Sequence, residues 1–505
     1  MRLSPEPERQ LKYQKFLMLD PRTIENAKNA QIKLGKVKKH VNNPLFGEDK
    51  PWEVRFDNLY ANIWYDPVRF IGKPFRLWYN PFIVDHSTSD TPEDEKLPGK
   101  YRELLRKMRI KFGRDHRVMG VCYAESENGI HWEKPNLGIY SHKDSKDTNI
   151  VAKKFHGAGM YFDPFPEDPQ QRYKLIFKLD KKKSFFYALS EDGIHWGEPI
   201  EIEGFKNYQL KTADSITFWG GDTHNNIFFD ISLSKYIVYT RMWKKVLKWG
   251  QSHRVVGSSE SADFIHFTKP EVVLEGLEPH LEPYGMVVFP YTDVFLGLVA
   301  IFNTQTDRVS TELALSLDSR RWDRIDPGEA LIPNNSEEGA YDWGCIYAAN
   351  RPFIIKDNIW IYYLGSDGLH TDWRKGYFCL ATLRIDGFAG FEHIDPNQDS
   401  IITTPIIKTI PNTWCGLNIN ADVDTGGYID IKILDNNNDI LDIVQRITET
   451  CINYRIQLVD PNIDVKKVKA VVSYVGKQIK IQFMFRKAKI YSFDLVSSIS
   501  SSFSL

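Results

Sequence analysis

Two polar clusters stand apart because nothing else in the chain repeats them. Gly220-Gly-Asp-Thr-His-Asn-Asn226 crowds Asp222, His224, Asn225 and Asn226 beside the apolar run Ile227-Phe-Phe229. Glu337-Glu-Gly-Ala-Tyr-Asp-Trp-Gly344 offers Glu338 and Asp342, with Trp343 as a flat apolar face. Glu53 follows Pro51-Trp52, Asp57 precedes Asn58, and Glu282 and Tyr284 share the short stretch Glu282-Pro-Tyr-Gly285. Carboxyls brought together in pairs do acid and base work, one kept protonated by its neighbour's charge and the other ionised. Asp222, Glu338, Asp342 and Glu53 are therefore the expected catalytic set. His224, Asn225, Asn226, Asp57, Arg241, Glu282, Tyr284, Trp343 and His370 are the expected substrate-binding set. Arg241 and Arg374 would pair with an anionic group through charge-assisted hydrogen bonds.

The elements that must position these residues follow from a repeat. Ser126-Glu-Asn-Gly-Ile-His-Trp132 returns as Ser190-Glu-Asp-Gly-Ile-His-Trp196. Weaker copies are Ser261-Ala-Asp-Phe-Ile-His-Phe267, Ser316-Leu-Asp-Ser-Arg-Arg-Trp322 and a degenerate Thr382-Leu-Arg-Ile-Asp-Gly-Phe388. Asn or Asp followed by Gly is hairpin-turn chemistry, since both residues tolerate positive φ. A second repeat lies earlier in each unit, as Asn62-Ile-Trp-Tyr-Asp-Pro67, Met160-Tyr-Phe-Asp-Pro164 and Ile227-Phe-Phe-Asp230. Units near 57–137, 156–202, 222–274, 284–332 and 344–395 predict an all-β, five-bladed β-propeller over residues 51–400. Acids that recur in several units (Asp66, Asp163, Asp230, Asp192, Asp263, Asp318) are expected to form turns; those that break the repeat are expected to do chemistry. Residues 401–505 alternate with period two and predict a C-terminal β-sandwich. Residues 1–50 form an N-terminal extension, with a helix expected around Pro21–Leu34.

The totals exclude several classes. Net charge is -1 in 505 residues, without the basic excess that a nucleic-acid partner would ask for. The cysteines Cys122, Cys345, Cys379, Cys415 and Cys451 are scattered, so neither a zinc site nor a disulfide framework follows. No run approaches the roughly 20 apolar residues of a membrane span. No glycine-rich nucleotide motif precedes a helix, and no cofactor or metal is implied. The chain reads as cytoplasmic as written, and as periplasmic or secreted if an export signal has been trimmed. Docking of the N-terminal extension on a second copy would make a homo-oligomer. Aromatic content of 13% suits sheet packing and equally clefts where a ring covers a sugar face.

The order of Pro51-Trp-Glu53, the Ser-x-Asp/Asn-Gly turns, Gly221-Asp-Thr-His-Asn-Asn226 and the closing Lys489-Ile-Tyr-Ser-Phe493 resembles a group of bacterial glycosyl hydrolase-like proteins. Their architecture is similar to the five-bladed glycoside hydrolases of families 32, 43, 68 and 117. The resemblance implies that fold and action on glycans. The unrepeated acids, read as a carboxylate pair in a central funnel, make the expected activity that of a glycoside hydrolase on an oligosaccharide or polysaccharide, and the funnel shape makes it exo-acting. The family 32 signature Trp-Met-Asn-Asp-Pro-Asn-Gly is reduced here to Trp64-Tyr-Asp-Pro67, so no catalytic residue is carried over by position. A glycan-binding propeller without turnover and a phosphorylase anchored by Arg241 and Arg374 are the rival readings.

Overall fold

Alternating apolar runs punctuated by turns require paired strands, and the computed structural model is almost wholly β. It describes residues 13–179, 184–205, 209–219, 223–246, 252–408, 416–456 and 478–496. Asp222 and the expected strand 469–474 lie outside them. The chain divides into Val37–Leu383 and a second unit made of Met1–Lys36 with Arg384–Leu505. Among the described residues, no helix is long and apolar enough to cross a membrane.

Within Val37–Leu383 the strands pair antiparallel in chain order. Asn62–Tyr65, Phe75–Tyr79 and Arg117–Ser126 form the first group, with Phe82–Asp85 and Ile150–Lys153 also on Arg117–Ser126. Phe155–Phe162, Tyr173–Leu179, Phe185–Ser190 and Ile200–Glu201 form the second. The third runs Ser215–Trp219, Lys235–Val246, Ser252–Ser261 and Glu271–Leu274, with Asn226–Asp230 against Lys235–Val246. Leu281–Tyr291, Val294–Asn303, Arg308–Ser316 and Asp323–Ile325 form the fourth. A parallel bridge from Val309 to Cys345 leads to the fifth, Cys345–Ala348, Asn358–Ser366 and Gly376–Arg384, which Lys38–Lys39 completes from the other end of the unit.

The repeated turns are built alike. Ser126 Oγ accepts from the Gly129 amide at 2.8 Å while Asn128 Oδ1 accepts from Ile130 and His131, each at 2.9 Å. Asp192, Asp263 and Asp318 take the same two amides in their own turns. Gly129 and Gly193 supply the positive φ, a state that Phe264 and Ser319 occupy without glycine's freedom.

A set of buried asparagines ties together the strands that begin each group. Asn62 donates to Ala158 O at 2.8 Å and accepts from Met160 N at 2.9 Å. Asn225 donates to Gly157 O at 2.6 Å, and Asn226 accepts from Val288 N at 2.9 Å and donates to Asn350 O at 3.1 Å. Asn350 Oδ1 in turn accepts from Ile63 N at 2.8 Å, returning to the first group. These amides satisfy backbone groups that the strand ladders leave open, which is the condition for burying them.

The second unit corrects the expected helix at Pro21–Leu34. Asn26–Lys28 and Ala30–Leu34 are strands, paired with Ser400–Thr403 and Ala389–His393. They join a ten-stranded sheet dominated by the long partners Gly416–Leu434 and Gln478–Val496. Its core comprises Ile402, Ile419, Ile431, Ile481, Phe483 and Phe493, all nearly inaccessible. A helix of three turns lies elsewhere, in Tyr101–Phe112.

Candidate active site

Asp57 sits on a backbone turn that few sequences tolerate. Asp57, Leu59 and Tyr60 all have positive φ, at 52°, 58° and 45°. Bulky residues rarely adopt this region, and such strain persists where surrounding structure fixes it. The fixing groups are close. Phe82 N donates to Arg55 O at 2.8 Å, Asn80 N donates to Leu59 O at 2.6 Å, and Glu48 Oε1 accepts from Phe56 N at 2.7 Å and Gly376 N at 3.1 Å.

Three guanidiniums surround the Asp57 carboxylate, whose side chain stays 19% exposed: Arg374 at 2.9 Å, Arg55 at 3.4 Å and Arg117 at 3.9 Å. Burial alone would raise this carboxyl, but Arg374, Arg117 and Arg55 outweigh it and hold the group well below the usual carboxylate range. Asp57 is thus ionised in any neutral buffer.

Beside it lies His370, which burial and then Arg374 push well below the ordinary imidazole value. Arg374 Nη1 can only donate, and it lies 3.1 Å from His370 Nδ1, so Nδ1 accepts and the neutral ring carries its proton on Nε2. Tyr347 OH reaches the same Nδ1 at 2.9 Å. Tyr284 meets the His370 ring at 4.9 Å between centroids, and its hydroxyl takes the Asn58 amide at 3.0 Å. Over Tyr284 stand Arg241 at 4.6 Å and Arg254 at 5.2 Å, and Arg254 pairs with Glu282. Next to Glu282 opens a cleft of about 510 Å³ lined also by Lys244, His253 and Leu277. His224 borders the group through its ring contact with Tyr60. Its Nε2 lies 3.1 Å from Asn62 Oδ1, an oxygen identified by the Met160 amide it accepts, so the proton is on Nε2 and Nδ1 holds the lone pair. Burial lowers His224 to about 3.

The insertion 86–116 forms a wall at this site. Its helix Tyr101–Phe112 begins with Tyr101, buried under Arg55 at 4.2 Å and bonded to Asp85 at 3.0 Å. Trp373 packs edge-on against Tyr101 and donates to Leu97 O at 3.1 Å, which straps the insertion to the segment carrying His370 and Arg374.

The structure therefore gathers Asp57, Arg241, Glu282, Tyr284 and His370, with His224 adjoining. Other expected residues stand apart, for visible reasons. Glu53 is buried in an ion pair with Lys134 at 2.8 Å and accepts from Tyr79 OH at 2.5 Å. Asp342 is likewise buried against Lys39 at 2.6 Å and Tyr363 OH at 2.9 Å. Neither has an ion pair or hydrogen bond with the Asp57 group among the described residues. Glu338 lies in an exposed turn, and the Trp343 ring carries Arg308 at 4.9 Å. Asn225 donates to Gly157 O and accepts from Thr240 Oγ1, and Asn226 bonds Val288 N and Asn350 O. The residues missed were Arg55, Arg117, Arg254, Tyr347 and Glu48. Arg117 opens the strand Arg117–Ser126, and Arg254 lies near the start of Ser252–Ser261; attention to strands that begin each unit passes over both.

Glu48 yields a prediction. Burial pushes its carboxyl up to about 7, against the pull of the Phe56 and Gly376 amides. Between pH 4.5 and 7 the folded state then holds more protons than the unfolded one, so this group's contribution to stability falls as pH rises through that window. Glu48→Gln keeps the acceptor oxygen and removes the charge. Thermal melts should show the variant more stable than wild type at pH 8, by on the order of 1–2 kcal/mol, with no gain at pH 4. A variant less stable at pH 8 would contradict this account.

No family model and no curated protein sequence matches the chain. Solved structures do. An N-acetylgalactosamine deacetylase from F. plautii, in complex with blood group B trisaccharide, is similar at 14% identity over 70% of this chain and 96% of that one, with a TM-score of 0.46. A glycosyl hydrolase from Bacteroides ovatus is similar at 14% identity over 69% and 94%, TM-score 0.42. A glycoside hydrolase family 43 arabinoxylan arabinofuranohydrolase from Bacillus subtilis, in complex with cellotetraose, is 9% identical over 91% and 98%, TM-score 0.38. Glycoside hydrolase-like proteins thus recur among the structures this chain resembles.

Proposed function

We propose that the chain is a glycoside hydrolase: a five-bladed β-propeller over residues 51–400 whose funnel holds Asp57 as the ionised carboxylate, followed by a β-sandwich over 401–505. The observation that carries the reading is the Asp57 site itself. A carboxylate kept charged by three arginines, on a strained turn at the entry to the first strand group, is the form a glycosidase uses as base, nucleophile or stabiliser of an oxocarbenium-like transition state. Glu282 supplies the second carboxyl, with Asp222 as the alternative from the sequence. Neutral His370 and the rings of Tyr284, Tyr347 and Trp243 provide a polar and apolar lining of the kind sugars occupy. The asparagine latches that run from group to group support radial closure, and the Tyr101–Trp373 wall supports action at chain ends.

A binding propeller without turnover also has an observation in its favour, since Arg374 and Arg55 already occupy Oδ1 of Asp57. One experiment separates the readings. The protein is incubated with mixed plant, algal and host oligosaccharides in heavy-oxygen water, with and without phosphate, and products are weighed by mass spectrometry. Heavy oxygen at the anomeric carbon of a released sugar is the expected result. Sugar phosphates would mean a phosphorylase, and retention without any product would mean a binding protein.

A further inference from the structure

We propose that the insertion 86–116 carries a second glycan-binding surface: a strip of three exposed arginines, Arg102, Arg106 and Arg109, that holds the carboxylate or sulfate groups of an acidic polysaccharide chain. The proposal rests on the reading of this protein as one that acts on glycans, and it adds a surface outside the Asp57 cluster.

Leu104, Leu105, Met108 and Phe112 make up the half-buried face of the helix Tyr101–Phe112, and Phe112 stacks on His86 at 3.8 Å. Arg102, Arg106 and Arg109 share one flank of that helix. At 3.6 residues per turn they fall within about 60° of one another and span about 10 Å along the axis. All three are exposed, and among the described residues none makes a hydrogen bond or an ion pair. Their donor forks therefore face water, and a planar guanidinium fork takes the paired oxygens of a carboxylate or a sulfate.

Ordinary surface chemistry does not account for the strip. Residues 100–112 carry six cations, Lys100, Arg102, Arg106, Lys107, Arg109 and Lys111, against one carboxylate, Glu103, in a chain of net charge -1. Glu103 is taken by Lys107 at 2.9 Å and Lys100 at 3.3 Å. The acids on either side do not neutralise the strip. Asp90 pairs with His86 and Glu93 with Lys96, Asp115 has its own partner, and the exposed Asp94 and Glu95 form no ion pair with it. Like charges four and three residues apart, as in Arg102–Arg106 and Arg106–Arg109, weaken a helix, and Arg102, one residue after its start, opposes the helix dipole. A helix that served solubility alone would alternate its signs. The strip also begins beside Tyr101, which lies under Arg55 at the Asp57 cluster, so a chain held on it adjoins the candidate active site. That continuity favours a glycan over an anionic membrane, to which this helix offers Ile110 as its one exposed large hydrophobic.

The test measures binding of the full chain to polygalacturonate, chondroitin sulfate, neutral dextran and phosphatidylserine vesicles. Wild type should bind an acidic polysaccharide and not dextran, with affinity falling as salt is raised from about 50 to about 200 mM. The triple variant Arg102→Gln, Arg106→Gln, Arg109→Gln should bind at least about tenfold more weakly, because three exposed charge pairs are lost together. Lys146→Gln, Lys211→Gln, Lys269→Gln removes the same charge from exposed positions elsewhere in Val37–Leu383 and should stay within about twofold of wild type. Equal loss in the two triple variants, equal binding to dextran, or binding of wild type to vesicles alone overturns the proposal, and the wild-type comparisons need no variant. Release of sugar from neutral glycans in heavy-oxygen water, with no binding to either acidic polysaccharide, overturns the strip and leaves the hydrolase reading standing. Binding through the strip with no release from any glycan does the reverse.

Discussion

Asp57→Asn is expected to lower kcat by roughly a thousandfold or more while glycan affinity stays within about tenfold of wild type. Asparagine keeps one acceptor oxygen in place for Arg374 and Arg55 but removes the negative charge that a developing oxocarbenium ion would feel. The loss should therefore appear in kcat more than in KM, since the interaction gains most in the transition state. The same substitution strips the anion from three guanidiniums, two of them almost fully buried, so thermal stability should also fall. Asp57→Glu keeps the charge and separates the effects: its stability should lie closer to wild type, while displacement of the carboxylate by one methylene still leaves turnover strongly impaired. Azide or formate added to Asp57→Asn, or to Asp57→Gly if the cavity must be larger, should restore part of the rate. Activity of Asp57→Asn within tenfold of wild type would remove Asp57 from the chemistry.

What could be read in advance divides along a physical line. Turns are local, and a serine hydroxyl and an Asx carbonyl that cap amides two and three residues ahead leave their mark in seven consecutive letters; so Ser126–Trp132 and its copies were legible. The helix Tyr101–Phe112 was legible too, with Leu104, Leu105, Met108 and Phe112 three and four apart and lysines and arginines toward its end, although it interrupts a unit otherwise patterned for strands. Residues 21–34 have the composition of a helix, and pairing with Ala389–His393 outweighed that weak preference. At the site, Asp57 and His370 could be named from the sequence, whereas Arg117 and Arg254 could not, because nothing local says which strand ends converge. Asn225 and Asn226 show the converse. Their partners Gly157, Val288 and Asn350 lie 68, 62 and 124 residues away in sequence, so nothing local in that polar run shows that these two side chains brace the frame.

That frame offers the second large effect, at Gly159. A methyl group built there would stand 1.2 Å from the carbonyl oxygen of Asn225 and 2.4 Å from its carbon, both backbone atoms that cannot swing aside. The strand Phe155–Phe162 already shifts register between His156 and Gly159, at the point where the Asn225 amide reaches Gly157 O. Gly159→Ala must therefore push the second strand group away from the third by on the order of 2 Å, or break the latches that join them, and interiors packed to crystal density absorb neither cheaply. The expected result is a loss of at least about 4 kcal/mol in unfolding free energy, or no soluble protein at all. Gly197→Ala is the control, because its nearest neighbour would lie at 3.4 Å, an ordinary contact, and it should cost under about 1 kcal/mol. Should both variants melt together near the wild-type temperature, Gly159 and Asn225 do not approach as closely as described. The close passage of these two strand groups, on which the position of His224 beside Tyr60 depends, would then have to be redrawn.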